Sequence, residues 1–359
     1  MSFHEYMELC LYHPEAGYYT RGAGIGREGD FYTSPHLHPI FGWTLARWAL
    51  PLLQSALKRQ PRVRILELGP GEGYLAKDVL DFLQREDPQV YQRVEYLLYE
   101  RSPEMVRRQR ALLEGHPVAW VEQFSEASGA VLVWSNEFYD AFPCYRFLRT
   151  SQGWRELRVV LEPQDRLAFQ PFPVEDPDHR SFLARYTPLA EPGTVLEIAP
   201  SIEHVHQALL AQVRPQWVVT IDYGERRPLL LRRFPQGSLA IYYRHRYLED
   251  PFQYPGESDI TWHIDFTLLE EAGEATGYRT RWFGDQGRFL LQAGILEVLQ
   301  NIERQEPDER QRIRARLAVK TLVYSFGKEH RVLVQEPGFE HKEVNADGDS
   351  PRALGGATG

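Results

Sequence analysis

The chain has 359 residues, 43% hydrophobic and 13% aromatic, which is ample core-forming material for one elaborated domain or for two. Its 41 basic and 50 acidic side chains give a formal charge of −9, a balance poorly suited to tracking phosphates, so nucleic acid is not an expected partner. Cys10 and Cys144 are the only cysteines, which excludes a disulfide framework and a cysteine-rich zinc site and suits a reducing compartment.

In chain order, "MSFHEYMELC" has neither a signal-peptide pattern nor an Arg/Ser-rich transit pattern, and the expected location is cytoplasmic. Residues 1–39 are rich in Gly, Tyr, His and Pro and carry too many aromatics for a free tail, which predicts a segment lying on something else. The most apolar window, "IFGWTLARWALPLLQSAL" (40–57), holds Arg47 and Pro51 and reads as a core helix rather than a membrane span. Residues 1–58 are taken as an N-terminal cap and helix. Alternation follows: strand 63–68, helix 74–85, strand 94–100, helix 103–114, a short strand near "VAWVE", and strand 130–137. This spacing predicts an α/β fold with a parallel sheet and helices on both faces. The pattern breaks at about 143–193, where "RFLRTSQGWRELRVVLEP" reads as a hairpin within an insertion. The main sheet is expected to resume with "TVLEIAP", followed by the helix "SIEHVHQALLAQV" and strand 217–224. A second insertion spans about 225–262, before the helix "DFTLLEEAGEATG" and strands near 278–283 and 330–335. The main domain is thus 59–335, and the small, polar, Gly-rich 336–359 is expected to be a disordered tail.

The stretch "RILELGPGEGYLAKDVL" (64–80) places three alternate glycines between a buried strand and a helix. The first βα turn of an open α/β sheet binds nucleotide-like ligands, because backbone N–H groups and a helix N-terminus converge there. A dinucleotide fingerprint needs G-x-G-x-x-G. Gly69 and Gly71 fit it, but Tyr74 takes the third slot and Gly73 falls one residue early. Glu67 and Glu72 would also repel a pyrophosphate. The pattern Glu67-x-Gly69-Pro70-Gly71-x-Gly73 instead resembles motif I of the class I S-adenosylmethionine methyltransferases. That cofactor has no phosphate, its ammonium suits a nearby carboxylate, and small residues let the backbone approach. Glu100 closes "VEYLLYE", where an acid can accept hydrogen bonds from both ribose hydroxyls; the plainer alternative is a capping acid before Ser102-Pro103.

"NEFYDAFP" (136–143) leaves the sheet where the reactive methyl would sit. In-line methyl transfer needs an aligned nucleophile, and a nitrogen acceptor gains positive charge that carboxylates stabilise. Glu137 and Asp140 are three apart, so a helical turn would put both on one face, able to clamp a guanidinium and take its proton. Ordinary helix N-terminal acids are the alternative. Asn136 is a candidate for the adenine, the methionine end or the turn backbone. "IDYG" puts Asp222 and Tyr223 at a strand end facing the same crevice, and "DITWHID" supplies His263 and Asp265 as a candidate base and orienter, or a packed loop histidine. His36/His38 and His204/His206 lack companion ligands, so no metal is expected, and no G-x-S-x-G argues for an esterase.

The blocks "YMELCLYHPEAGYY" (6–19), "GDFYTSP" (29–35), "LELGPGEG" (66–73), "NEFYDAFP" (136–143), "IDYGE" (221–225), "PGESDITWHIDF" (255–266) and "GRFLLQAGI" (287–295) together resemble the MidA-type methyltransferases. Mitochondrial members of that family assist assembly of respiratory complex I by methylating an arginine of a core subunit. The resemblance spans about residues 3–335 and is that of a bacterial member. It implies a Rossmann-like class I methyltransferase domain with an N-terminal cap and an inserted, substrate-facing subdomain. It implies S-adenosylmethionine as cofactor, with Gly69, Gly71, Gly73 and Glu100 on the cofactor site and Thr33, Ser34 and Pro35 on the cap over it. Two positions depart from the family pattern: His36 follows Pro35 in place of glutamate, and Glu72 stands in the glycine loop in place of arginine. The expected function is methylation of an arginine nitrogen of a partner protein; a respiratory-complex subunit is one candidate by family resemblance, although the motif does not give the acceptor of a bacterial member. The alternatives are a small-molecule or modified-peptide acceptor, or a non-catalytic assembly factor that keeps the fold. Oligomeric state is left open.

Overall fold

The structure, a computed structural model, describes residues 1–21, 34–244 and 246–338. Its strands are β1 (Val63–Leu68), β2 (Val94–Tyr99), β3 (Val118–Val121), β4 (Leu132–Asn136), β5 (Tyr145–Thr150), β6 (Gly153–Glu162), β7 (Arg166–Pro173), β8 (Val195–Ile198), β9 (Trp217–Glu225), β10 (Ala240–Tyr243), β11 (Arg246–Leu248), β12 (Asp259–Thr261), β13 (Ile264–Asp265), β14 (Tyr278–Asp285) and β15 (His330–Pro337). Helices of ten or more residues are α1 (Phe3–Tyr12), α2 (Ile40–Leu57), α3 (Tyr74–Glu86), α4 (Pro103–Leu112), α5 (Pro200–Val213), α6 (Phe266–Ala275), α7 (Ile295–Gln305) and α8 (Glu309–Lys320).

The main sheet runs β14-β15-β9-β4-β1-β2-β3, with β13 added beside β9. β3, β2, β1, β4 and β9 are parallel, and β15 and β14 close the sheet antiparallel. Strand side chains alternate between faces, and here both faces are covered. Val63 and Ile65 of β1, Tyr96 and Leu98 of β2, and Leu132 and Trp134 of β4 pack with α2 and α3 on one side. Leu66, Leu68, Leu97 and Val133 pack with Leu209, Leu210 and Val213 of α5 on the other. Burial on both faces explains why these strands read as near-continuous apolar runs. The α2 helix continues through Pro51, and among the described residues no helix is long and apolar enough to cross a membrane.

One strand departs from the sequence expectation. "TVLEIAP" does not resume the main sheet: β8 pairs antiparallel with β5 in a separate sheet of order β7-β6-β5-β8. A four-residue apolar strand reads alike in any buried sheet; what places this one is its pairing, from Tyr145↔Ile198 to Leu148↔Val195. β10, β11 and β12 form a third, small sheet. Phe3, Met7 and Leu11 of α1 share a core with Phe147 and Val159 of the inserted sheet and with Trp262 and Phe266. The α1 start is fixed by a capping box between Ser2 and Glu5. β15 runs to Pro337, two residues into the stretch expected as tail, and its end pairs with Tyr278; residues 339–359 lie outside the described ones.

A buried ion pair fastens the chain after β9 to α6. Arg227 donates to Asp265 (2.7 Å) and Glu271 (2.8 Å) and covers the ring of Tyr186, whose hydroxyl also donates to Asp265 (2.8 Å). Removing one partner of such a pair strands a desolvated charge. Arg227→Ala is therefore expected to lower unfolding free energy by about 3–5 kcal/mol, measurable by urea denaturation of the full chain.

Candidate active site

β1, β2, β4 and β9 end side by side, and the segments leaving them line a cavity of about 910 Å³. From β1 comes the glycine loop. Gly69, Gly71 and Gly73 have φ of 60°, 54° and 90°, in the left-handed region that side chains disfavour. A Cβ on Gly69 would lie 2.8 Å from the Phe138 ring, whereas one on Gly71 would meet nothing within 4 Å. Gly69, Pro70 and Gly71 line the cavity, and Gly73 sits behind them as the N-cap of α3. The loop is braced by a residue that no sequence motif pointed to. Gln109 of α4, fully buried, donates to the Gly71 carbonyl (2.6 Å) and reaches Glu100 (3.4 Å), and it accepts from the Trp120 indole (2.7 Å).

Glu100, after β2, lines the same cavity and accepts the Ser102 amide (2.8 Å). It does not cap α4; Ser102 does, accepting from Met105. Burial raises the Glu100 pKa above the ordinary carboxylate range, while the Ser102 amide and Gln109 oppose the shift. Glu67 also lines the cavity. It accepts from the Tyr96 hydroxyl (2.6 Å), which in turn accepts from Trp134 (2.8 Å), and burial pushes its pKa up to about 8. Glu72 is not a bare acid beside the cofactor loop: Arg108 of α4 pairs with it at 3.1 Å and His36 Nε2 at 3.3 Å. The two departures from the family pattern therefore touch one another.

Of the three expected cap residues, Thr33 lies outside the described residues. Pro35 lines the cavity, as does His36. Ser34 is fully buried against Gln286 (3.4 Å) and contributes no lining.

The segment after β4 is not helical. Glu137 has φ of 54°, and residues 137–144 form turns, so the helical face expected for Glu137 and Asp140 is absent. Both nevertheless line the cavity, because the turn is pinned from below. Asp222 accepts the amides of Phe138 (3.2 Å), Tyr139 (2.9 Å) and Tyr223 (2.8 Å). That corrects its expected position: Asp222 is fully buried and is not among the lining residues, whereas the next residue on the strand, Tyr223, is. Burial lifts the Asp222 pKa to about 7, against the pull of the Tyr139 amide. Asp140 accepts from Thr261 (2.8 Å) and stands well above the ordinary range through burial and the charges of Asp222 and Glu137. Asn136 donates to Glu137 (3.0 Å), and its Oδ1 is buried without a hydrogen-bond partner among the described residues.

The pairing of His263 with Asp265 does not occur. His263 Nδ1 faces the Ser238 carbonyl (3.3 Å), its ring packs on Phe234, and it lines an adjacent cavity of about 310 Å³. Burial depresses its pKa to about 4. Asp265 faces away, toward Arg227 and the α6 N-terminus. The residues of "DITWHID" that reach the main cavity are Asp259, which accepts from Tyr19 (2.8 Å), and Thr261. His206 is buried between Tyr139 (2.8 Å) and Gln335 (2.8 Å). Tyr12, Tyr242 and Glu329 complete the acidic, aromatic end of the chamber.

The fold and the glycine turn at the β1 edge define a class I methyltransferase. Residues 44–284 match the family described as "Putative S-adenosyl-L-methionine-dependent methyltransferase". A Burkholderia thailandensis crystal structure bound to S-adenosyl-homocysteine superposes with TM-score 0.82 at 31% identity, covering 95% of this chain and 88% of that one. "Protein arginine methyltransferase NDUFAF7, mitochondrial" is 29% identical over 327 residues in Xenopus tropicalis, covering 81% of this chain and 71% of the relative. The Danio rerio protein of that name is 27% identical over 309 residues, covering 76% and 68%. The chain belongs to this MidA-type methyltransferase family and is an S-adenosylmethionine-dependent methyltransferase.

Because Glu67 and Asp222 hold protons in the folded chain that they release when unfolded, rising pH destabilises the ligand-free protein. The window runs from their ordinary values, 4.5 and 3.8, to about 8 and about 7. The thermal midpoint is expected to fall from pH 5 to pH 8, and Glu67→Gln to flatten the decline, most distinctly above pH 7. Differential scanning calorimetry across that range checks both.

Proposed function

We propose that the chain methylates an arginine nitrogen of a partner protein, with the Gly69–Gly73 loop, Glu67 and Glu100 holding the cofactor and Glu137 and Asp140 receiving the acceptor. One observation carries this reading. Asp140 is buried beside Asp222, Glu137 and Asp259, and among the described residues no arginine or lysine forms an ion pair with it. Clustered, desolvated carboxylates are unfavourable until a cation joins them, and the planar guanidinium is matched to paired acids and to aromatic faces such as Tyr19, Tyr223 and Tyr242. The relatives named as protein arginine methyltransferases support the same acceptor. The free, buried thiols Cys10 and Cys144 support a reducing, cytoplasmic setting.

The residues fit S-adenosylmethionine. The left-handed glycine turn leaves main-chain surface open at Gly71, Glu100 offers a carboxylate oxygen beside it, and Glu67 gives an acid for an ammonium. When bound, the cofactor supplies an electrophilic methyl group on a positively charged sulfur. Glu67, whose pKa burial raises to about 8, would ionise against the cofactor's ammonium and keep the Tyr96 hydrogen bond. Asp140 and Glu137 orient the guanidinium so that one nitrogen faces the methyl. As the new N–C bond forms and the S–C bond breaks, that nitrogen becomes acidic, and one of these two carboxylates takes its proton. Aromatic side chains and Pro35 exclude water from the chamber.

Tritiated S-adenosylmethionine added to a soluble lysate with the purified chain is expected to yield methylarginine on acid hydrolysis of labelled protein. Label confined to small molecules would exclude a protein acceptor, and label on another amino acid would exclude arginine. Asp140→Asn is expected to cut labelling by about 100-fold with cofactor affinity retained. Glu100→Ala is expected to weaken cofactor binding by about 10–100-fold in calorimetry, the loss of two charge-assisted hydrogen bonds.

A further inference from the structure

We infer that His330 is a positioning residue: buried beneath the acceptor chamber as an imidazolium, it pairs with Glu137 and fixes it in its strained turn. The inference rests on the assignment of Glu137 to the acceptor chamber. His330 opens β15 and is wholly buried, and its strand partner is Tyr223, whose ring lies 4.0 Å from the imidazole. The sheet order β15-β9-β4 brings it under the turn that follows β4.

Each ring nitrogen faces an acceptor. Nδ1 lies 3.1 Å from the Phe326 carbonyl, in the short helix that follows a π-helical turn at Thr321–Ser325. Nε2 lies 3.3 Å from Glu137 Oε1, angled as an ion pair rather than a linear hydrogen bond, and has no other partner among the described residues. A neutral imidazole carries one N–H. With that proton on Nδ1, the Nε2 lone pair would oppose a carboxylate oxygen; with it on Nε2, the Nδ1 lone pair would oppose a carbonyl. Protonation of both nitrogens removes both conflicts. Burial disfavours the charge, yet Glu137, the Phe326 carbonyl and Asp222 outweigh it and raise the His330 pKa.

The surrounding charges agree. Glu137 and Asp222 attract the imidazolium. Arg331 is already paired with Glu225 (2.7 Å) and Asp285 (2.9 Å). His263, the other imidazole beside Tyr223, has no carboxylate partner among the described residues, and burial, with smaller contributions from Arg233 and His330, holds it neutral. Glu137 has a reason to need an anchor. A non-glycine residue at φ 54° is strained and persists only where its surroundings hold it. Its amide donates to Ile221 (2.9 Å), and one carboxylate oxygen, Oε1, takes both Asn136 (3.0 Å) and His330 (3.3 Å).

The full chain, labelled with 15N, has 12 histidines, and comparison with H330Q assigns the ring of interest. In two-bond 1H–15N spectra at pH 7, His330 is expected to show the imidazolium pattern, with both nitrogens protonated. E137Q, which leaves the ring in place, is expected to convert it to a neutral tautomer and identifies the resonance even if H330Q fails to fold. A neutral His330 in the parent chain, or a spectrum unmoved by E137Q, would overturn the inference. With lysate as acceptor, H330Q is expected to lose labelling by about tenfold at pH 7 and to shift the pH profile, with cofactor affinity by calorimetry within about twofold of the parent. A profile parallel to the parent's would also overturn it. The spectra use no acceptor, so absence of arginine labelling would count against the proposed function and leave the protonation state of His330 separately decided.

Discussion

Parallel hydrogen bonding fixes direction. Once β2, β1, β4 and β9 pair in parallel, their carboxyl ends share one edge, and whatever follows each strand is delivered there. The glycine turn after β1, the acid after β2, the strained turn after β4 and Tyr223 near the end of β9 meet only for this reason. The antiparallel β15 adds the complementary element: because it runs the other way, its first residue, His330, is what arrives at that edge.

The chamber so formed is acidic out of proportion to its exposure. Glu67, Asp140 and Asp222 are buried and Glu100 is half-buried, and desolvation is the largest cause of each raised pKa. Such a site is comfortable only with cations in it. The cofactor brings positive charge at one end, and the proposed acceptor brings it at the other. Asp222 shows how the fold limits the cost. It spends its lone pairs on two amides of the turn after β4 and on that of Tyr223 beside it in β9, so a buried acid becomes the fastening for residues that line the cavity.

Local chemistry was legible where it was strictly local. Alternate glycines at a strand end require a left-handed turn, and Glu100 lies where any β2 of this register must end, so both could be read from residue type and spacing. Glu137 and Asp140 line the cavity for a reason other than the shared helical face expected of them: the turn that presents them is pinned by Asp222 rather than wound as a helix. Asp222 and Tyr223 are adjacent, and strand geometry sends adjacent side chains to opposite faces, so only one could reach the cavity. His263 and Asp265 looked like a pair because they are close in sequence, yet one meets Ser238 and the other Arg227. Gln109 and His330 carry no motif. Each matters through a contact with a distant segment, and nothing in residue type or spacing announces such contacts. The β8 strand was misplaced for the same reason.

The meeting of His36 with Glu72 has a practical side. The imidazole is nearly buried, and Arg108 shares the same carboxylate. Glutamate grafted at position 36 alone would confront Glu72, and arginine grafted at position 72 alone would crowd His36 and Arg108. Anyone building a chimera with a homologue must therefore transplant the cap motif and the glycine loop as one cassette, with the facing turn of α4 included.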